Sequence, residues 1–392
     1  MKPSADALVI GGGPAGAAVA ARLAAAGRAV VLCERDAQPR PQVCGEFISA
    51  SAVEELRDLG VAPMRLGAAE IRRARVVVED LKADAGLPFA AYGLSRTRLD
   101  ASLLDLAVRH GAEVWRGAGV RSLTRSDGGT WQTLLGDGRR VQSRTVVLAS
   151  GKHELRGHQR VWKVASNCVG FKMHWRLLTE QEAALGSGIE LFLYRNGYAG
   201  LQPIEAGIAN LCLVMSATTF RTCGMSFAAA LGHLRQLIPA LDERLREATP
   251  LWANPASIAR LPYGYLCRAS DCADDLYRVG DQVAVIPSFT GEGIAIALRT
   301  ARLAAEAVVA GVTSRNYVAA ARRHVRWPMR VASLLETLTR RQVVARPVLS
   351  VARSAGVLPV LARATRLRDP SAGLRGRSGL RTASERSSAR SA

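Results

Sequence analysis

The sequence predicts an α/β protein (α+β over the whole chain). A nucleotide-binding domain with a βαβ start carries an inserted antiparallel β-sheet domain and a helical C-terminal region. Three observations predict it. A strand, a glycine-rich turn and a helix open the chain. Segments of alternating hydrophobicity fill its middle, from about residue 169 to 216. Beyond residue 314 the pattern becomes helical and rich in arginine.

In order, residues 7–10 (ALVI) read as a buried strand, 14–26 as a helix closing at Gly27, and 29–33 (AVVLC) as a second buried strand. That is a βαβ unit. Ser51 and Glu54 have capping-box spacing and predict a helix to Leu59. Strands are expected at 75–79, 112–114, 119–123, 131–135 and 144–149, with a helix over 98–110. The segments 169–175 and 210–215 alternate as half-buried antiparallel strands do. Helices follow at 226–238 and 240–248, a buried strand at 282–286, and a long small-residue helix at 293–310. The expected division is 1–75, 93–160 and 275–313 for the nucleotide-binding domain, and 76–92 and 161–274 for a substrate domain. Residues 314–368 form a helical region, and 369–392 a disordered basic tail.

With 392 residues, 48% hydrophobic and 22% charged, the chain can bury a sizeable core. Its net charge of +20 is uneven. From Val318 onward sixteen arginines face three acids, Glu336, Asp369 and Glu385. A solvated helical face with a disordered tail is the first reading of that region, contact with an anionic membrane surface the second. Nucleic-acid binding is not expected, since Trp327 is the region's only aromatic residue and no recognised nucleic-acid module is present. The seven cysteines are odd in number and lack a CxxC, so free thiols in a reducing, cytoplasmic setting are expected, with no metal site. No uncharged apolar run is long enough to span a membrane.

Gly11-Gly12-Gly13-Pro14-Ala15-Gly16 is a G-x-G-x-x-G between a strand and a helix. Glycine makes the tight turn, admits a pyrophosphate to the backbone and lets helix pack on strand. The helix N-terminus offers N–H groups and a positive dipole to phosphates. Glu34 ends the second strand, where a carboxylate meets ribose hydroxyls and disfavours a 2′-phosphate. Two later motifs narrow the ligand. One is Gly93-Leu94-Ser95-Arg96-Thr97-Arg98-Leu99-Asp100. The other runs from Val279-Gly280-Asp281 through Pro287 to Gly291-Glu292-Gly293-Ile294.

With these three motifs in this order, the sequence resembles the flavoprotein group of the aromatic hydroxylases, FAD-dependent halogenases and geranylgeranyl reductases. The resemblance implies a Rossmann-like, glutathione-reductase-like FAD-binding domain and FAD as cofactor. It assigns FAD contacts to Gly11, Gly13, Pro14, Ala15, Gly16, Glu34, Arg35, Arg96, Val120, Asp281, Pro287, Gly291, Gly293 and Ile294. Asp281 is expected at ribityl hydroxyls, and the turn before Gly293 at the pyrimidine end of the flavin. Where the hydroxylases often carry Asp-Gly, this chain has Ser150-Gly151, which counts against efficient direct use of NADPH. Lys152, His153 and Arg156 are read as a solvated loop first and a phosphate contact second. The halogenase Trp-x-Trp-x-Ile-Pro signature is absent.

Cys44-Gly45-Glu46 follows the second strand and is expected to reach the isoalloxazine ring, with Cys44 a small wall residue and Glu46 a polar orienter. A reactive thiolate needs a cationic neighbour, and none flanks Cys44 in sequence. His174 shares a strand face with Lys172, and solvation or a structural role is expected for it. The expected reaction is monooxygenation of a hydrophobic aromatic, polyketide or lipid-like substrate, using NAD(P)H as electron donor and O₂ through a flavin C4a-hydroperoxide. The alternative is reduction of carbon–carbon double bonds in a prenyl or lipid chain, which the Cys44-Gly45 pair favours by resemblance to the reductases. A non-catalytic electron-transfer flavoprotein is the third reading.

Overall fold

The computed structural model describes residues 4–161, 167–339, 342–354 and 356–367. The expected disordered tail, 369–392, lies outside them. In chain order the elements begin β1 (Ser4–Ile10), α1 (Pro14–Ala25), β2 (Val30–Glu34), β3 (Phe47–Ile48), α2 (Ala50–Asp58), β4 (Ala69–Val78) and β5 (Leu81–Gly93). Next come α3 (Arg96–Arg109), β6 (Glu113–Arg116), β7 (Val120–Arg125), β8 (Trp131–Leu135) and β9 (Arg140–Leu148). The middle holds β10 (Cys168–Arg176), α4 (Thr179–Leu185), β11 (Gly188–Tyr194), β12 (Gly197–Pro203) and β13 (Ala209–Ser216). It continues with α5 (Ala217–Thr222), α6 (Phe227–Leu237), α7 (Pro239–Leu245), β14 (Thr249–Pro250) and β15 (Ala256–Ala259). The chain returns through β16 (Leu276–Arg278) and ends in α8 (Gly293–Val309), α9 (Ser314–Thr339), α10 (Gln342–Ser354) and α11 (Leu358–Ala364).

Two sheets organise the chain. The first runs β6-β2-β1-β9-β8-β7, with β16 added to β9. Its β1, β2, β6, β9 and β16 pair in parallel, as βαβ connections require. Strands β1 and β2 read as near-continuous apolar runs because helices cover them. Helix α1 is almost wholly buried, since its alanines and glycine let it lie close between sheet and neighbouring helices. The second sheet runs β14-β10-β13-β12-β11-β4-β5-β3, with β15 on β10. It is antiparallel except for one seam, where β11 runs parallel to β4. That seam exists because the β4–β5 hairpin comes from a different part of the chain than β10–β13. Alternation in β10, β12 and β13 sends Phe171, Met173, Leu201, Leu211 and Leu213 to a core under α6 and α7. Their intervening residues face the other way.

Three expectations need correction. The cap of α2 is Ser49, whose Oγ accepts from the Ala52 N–H at 3.4 Å, and Ser51 is buried inside the helix. Ser49 wins because its extended backbone is the conformation a cap needs. Residues 282–286 are buried but form no strand among the described elements. A 3₁₀ turn, Gly280–Gln282, precedes them, and a single bridge pairs Ala284 with Leu266. Backbone hydrogen bonds between Gly264 and Val285, Val285 and Tyr265, and Cys267 and Val283 hold the run, but they do not extend into a strand ladder. Lastly, the expected boundary at 75/76 cuts β4, which belongs whole to the second sheet.

Candidate active site

A cavity of about 920 Å³ takes its wall from both sheets and from the C-terminal helices. Gly11, Gly13, Pro14, Ala15, Glu34, Arg35, Arg96, Val120, Asp281, Gly291, Gly293 and Ile294 all line it, as do Cys44 and Glu46. Gly16 and Pro287 do not. A Cβ on Gly16 would stand 1.8 Å from the Gly11 carbonyl oxygen, so Gly16 serves the helix-to-turn packing. Pro287 accepts from the Thr290 hydroxyl at 2.9 Å and shapes the turn before α8. Gly11 has φ of 108° and no room for a side chain beside Ala149. Gly291, at φ 71°, would drive a Cβ into the Phe47 ring.

Helices α1 and α8 both begin without a side-chain cap, at Gly13 and Glu292. Residues of both first turns line the cavity, so two positive helix ends address it. Glu34 accepts from the Gly12 N–H at 2.6 Å and from the Asp36 N–H at 2.9 Å, which fixes the carboxylate at the end of β2. Near it, Arg35 meets His153 at 2.8 Å. Burial, then Arg35 and Arg40, push His153 below the usual histidine range. Ser150, Lys152 and His153 line the cavity, and Arg156 does not.

The loop Cys44-Gly45-Glu46 is held by the second sheet. Asn210 on β13 donates to the carbonyls of Cys44 at 3.2 Å and Gly45 at 2.8 Å. Glu46 is fully buried with φ of 59°, a conformation a non-glycine residue holds only under constraint. The constraint is visible. Its carboxylate pairs with Lys172, accepts from the Arg96 N–H at 2.7 Å, and meets His174 Nε2 at 2.7 Å. Burial pushes the Glu46 carboxyl up, but the hydrogen bond from His174 and the charge of Lys172 outweigh it and leave the pKa lowered. The Trp252 ring lies against both partners, 4.4 Å from the His174 ring and 5.5 Å from Lys172 Nζ.

Of the two readings of His174, solvated or structural, the solvated one is corrected: it is buried and hydrogen-bonded to Glu46. Its strand face was legible, but its partner, 128 positions away, was not. Cys44 also gains a neighbour that its flanking sequence lacks. Arg96 is half-buried and bidentate with Asp100 at 2.7 and 2.8 Å. Burial opposes its charge, but Asp100 first and then the nearby Cys44 more than offset that and raise its pKa.

The C-terminal region is not only a solvated face. Arg366 pairs with buried Glu292 and donates to the Thr290 carbonyl at 2.8 Å, so it clasps the turn before α8. Arg346 pairs with Glu79 at 2.7 Å and ties α10 to the β4–β5 hairpin.

Residues 4–167 match the family model described as an FAD binding domain. Over that span the chain carries an FAD-binding domain of the kind found in FAD-dependent oxidoreductases. The chain is 29% identical over 328 residues to a menaquinone reductase of Mycolicibacterium smegmatis, covering 79% of this chain and 78% of that one. It is 26% identical to digeranylgeranylglycerophospholipid reductase 2 of Methanosphaera stadtmanae, over 79% and 80% of the two chains. Among solved structures, the flavin-dependent brominase Bmp2 superposes with a TM-score of 0.75 at 19% identity, covering 95% of this chain and 98% of that one. The Pseudomonas aeruginosa PqsL structure gives 0.70 at 17% identity, over 88% and 100%. At those identities the solved structures speak for the fold.

The residues present fit FAD. The glycine cradle at Gly11 and Gly16 admits no side chain, and two uncapped helix starts and the Glu34 carboxylate border one cavity. Sequence reasoning missed Lys172, Asn210 and Gln202. The available signal was a run of polar residues, each alternating with core residues, on one face of β10, β12 and β13. All seven cysteines are free thiols, five of them buried. No helix among the described residues is long and apolar enough to cross a membrane.

Proposed function

We propose that this flavoprotein reduces a carbon–carbon double bond in a substrate with a long apolar chain, such as a prenyl lipid. The observation that carries this is the composition of the cavity wall away from the nucleotide-binding loops. Val76, Leu87, Leu191 and Leu193 from the second sheet face Leu349, Leu358 and Leu361 from α10 and α11. Such a lining solvates a hydrocarbon chain and offers it no polar partner. Reduced FAD, when bound, would supply a hydride and a proton, the two hydrogens the double bond gains, and return to oxidised FAD; the chain's own residues orient the alkene, exclude water and hold Cys44-Gly45 at the wall. The similarity to a menaquinone reductase and a digeranylgeranylglycerophospholipid reductase supports the reading.

Monooxygenation is the second reading. Tyr198 and Ser288 line the cavity at the turn before α8, with the Tyr263 hydroxyl 2.7 Å from Ser288 Oγ behind them, and that polar corner suits a phenolic ring. One experiment separates the two. The protein is reduced anaerobically with dithionite, offered prenylated quinones and phenols with and without air, and the product masses are read. A gain of two hydrogens without O₂ that survives reoxidation of the quinone ring in air, and so lies in the prenyl chain, supports reduction. A gain of one oxygen, only in air, overturns it. NAD(P)H as electron donor belongs to this proposal and is tested by replacing dithionite with each nucleotide.

Contact with an anionic membrane surface is part of the same reading. Leu334, Val348, Val351 and Val360 are exposed on α9, α10 and α11, among arginines such as Arg353 and Arg363. Val348 also lines the cavity, so the apolar lining continues to the surface.

A further inference from the structure

Gln202 is the least explained polar residue of the cavity wall. It lies on β12, where Tyr198, Gly200 and Gln202 line the cavity while Ala199 and Leu201 enter the core beneath. It is 1% exposed, and neither Oε1 nor Nε2 has a hydrogen-bond partner among the described residues. A buried amide left unpaired is costly, so such groups call for a partner. Its register neighbour on β13 is Asn210, whose Nδ2 is already committed to the Cys44 and Gly45 carbonyls. The Asn210 Oδ1 is unpaired as well. Gly200, between Tyr198 and Gln202, puts no side chain into the space before them. Gly93 leaves room behind: a Cβ there would come within 3.3 Å of Gln202 Nε2.

We propose that the Gln202 amide binds the oxygen of the substrate's head group and so determines which chain-bearing molecules the enzyme accepts. The amide carries both a donor and an acceptor. It can donate Nε2–H to a ring carbonyl and accept at Oε1 from a ring hydroxyl. A head group that interconverts between carbonyl and hydroxyl forms is therefore held in either state. Gln202 lies one strand from the residue that fixes Cys44-Gly45, which brings that oxygen close to the reactive end of the cavity. This deepens the reading above by naming the head of its substrate, and the test reads binding instead of turnover. A wrong reaction and a wrong head group thus give different results.

The test titrates the oxidised, FAD-loaded protein with 2-methyl-1,4-naphthoquinone and, separately, with 2-methylnaphthalene, following the flavin difference spectrum. Both probes share a ring and differ in the oxygens. Wild type should bind the quinone about tenfold more tightly, and Gln202→Met, of similar shape, should erase that preference while binding 2-methylnaphthalene unchanged. Gln202→Asn, which keeps an amide on a shorter arm, should retain part of it and guards against a variant that fails to load FAD. Equal affinities in wild type overturn the proposal, as does a preference that survives in Gln202→Met, which would leave water as the amide's only partner. No binding of the quinone overturns it too.

Discussion

Glu46 shows how one residue joins the two sheets. It sits between β2 and β3 in the chain, yet its carboxylate is satisfied by Lys172 and His174 on β10. Glu46→Gln should destabilise the protein at pH 7 by about 3 kcal/mol, because it strands a buried ammonium. The sign with pH follows from the lowered carboxyl. Its contribution is fully present above the ordinary glutamate value and is lost as pH falls through the lower folded one. Urea midpoints of wild type and variant should therefore converge in acid, and coincident midpoints at pH 7 would refute the role. Cys44→Ala should keep FAD and change turnover or selectivity. Loss of flavin absorbance would make Cys44 structural, and unchanged turnover would make it filler. At this scale the sequence marked Cys44, Glu46 and Arg96 but not what they touch. Local spacing fixes the face of a side chain in a strand, and it carries no information about a partner more than a hundred residues away.

Among elements, the βαβ start and the turn before α8 were the most legible, because their glycines answer to steric demands within a few residues. Gly16→Ala tests this directly. Its Cβ would overlap the Gly11 carbonyl, so helix or turn must move, and purified protein should show a flavin-to-protein absorbance ratio at least tenfold below wild type. An unchanged ratio would mean that the packing has slack the geometry does not reveal. The second sheet was half legible. Strands β10 and β13 alternate cleanly, whereas β5 contains Gly86 and Pro88 and gives no clear period. The false strand at 282–286 errs in the opposite way, since a buried apolar run has the same composition with or without a ladder.

For the whole molecule, the C-terminal helices close one side of the cavity and present arginines and exposed aliphatic residues outward. If that face meets an anionic bilayer, Val351→Asp with Val360→Asp should abolish flotation with phosphatidylglycerol vesicles and leave bound FAD unchanged. Flotation equal to wild type would count against membrane contact. Composition alone could not distinguish this arrangement from a solvated surface, because the distinction lies in which apolar residues remain uncovered after folding. The interleaving of the two sheets has a further consequence. β3, β4 and β5 interrupt the first sheet, and β16 joins it only after the whole second sheet has been made. On the ribosome the second sheet has all its strands while the first still lacks β16, and the flavin cradle is complete only after Gly291 and Gly293 have emerged. A fragment ending at residue 167, the span of the matched domain, should thus emerge without bound flavin, and the order of synthesis should make cofactor capture a late event.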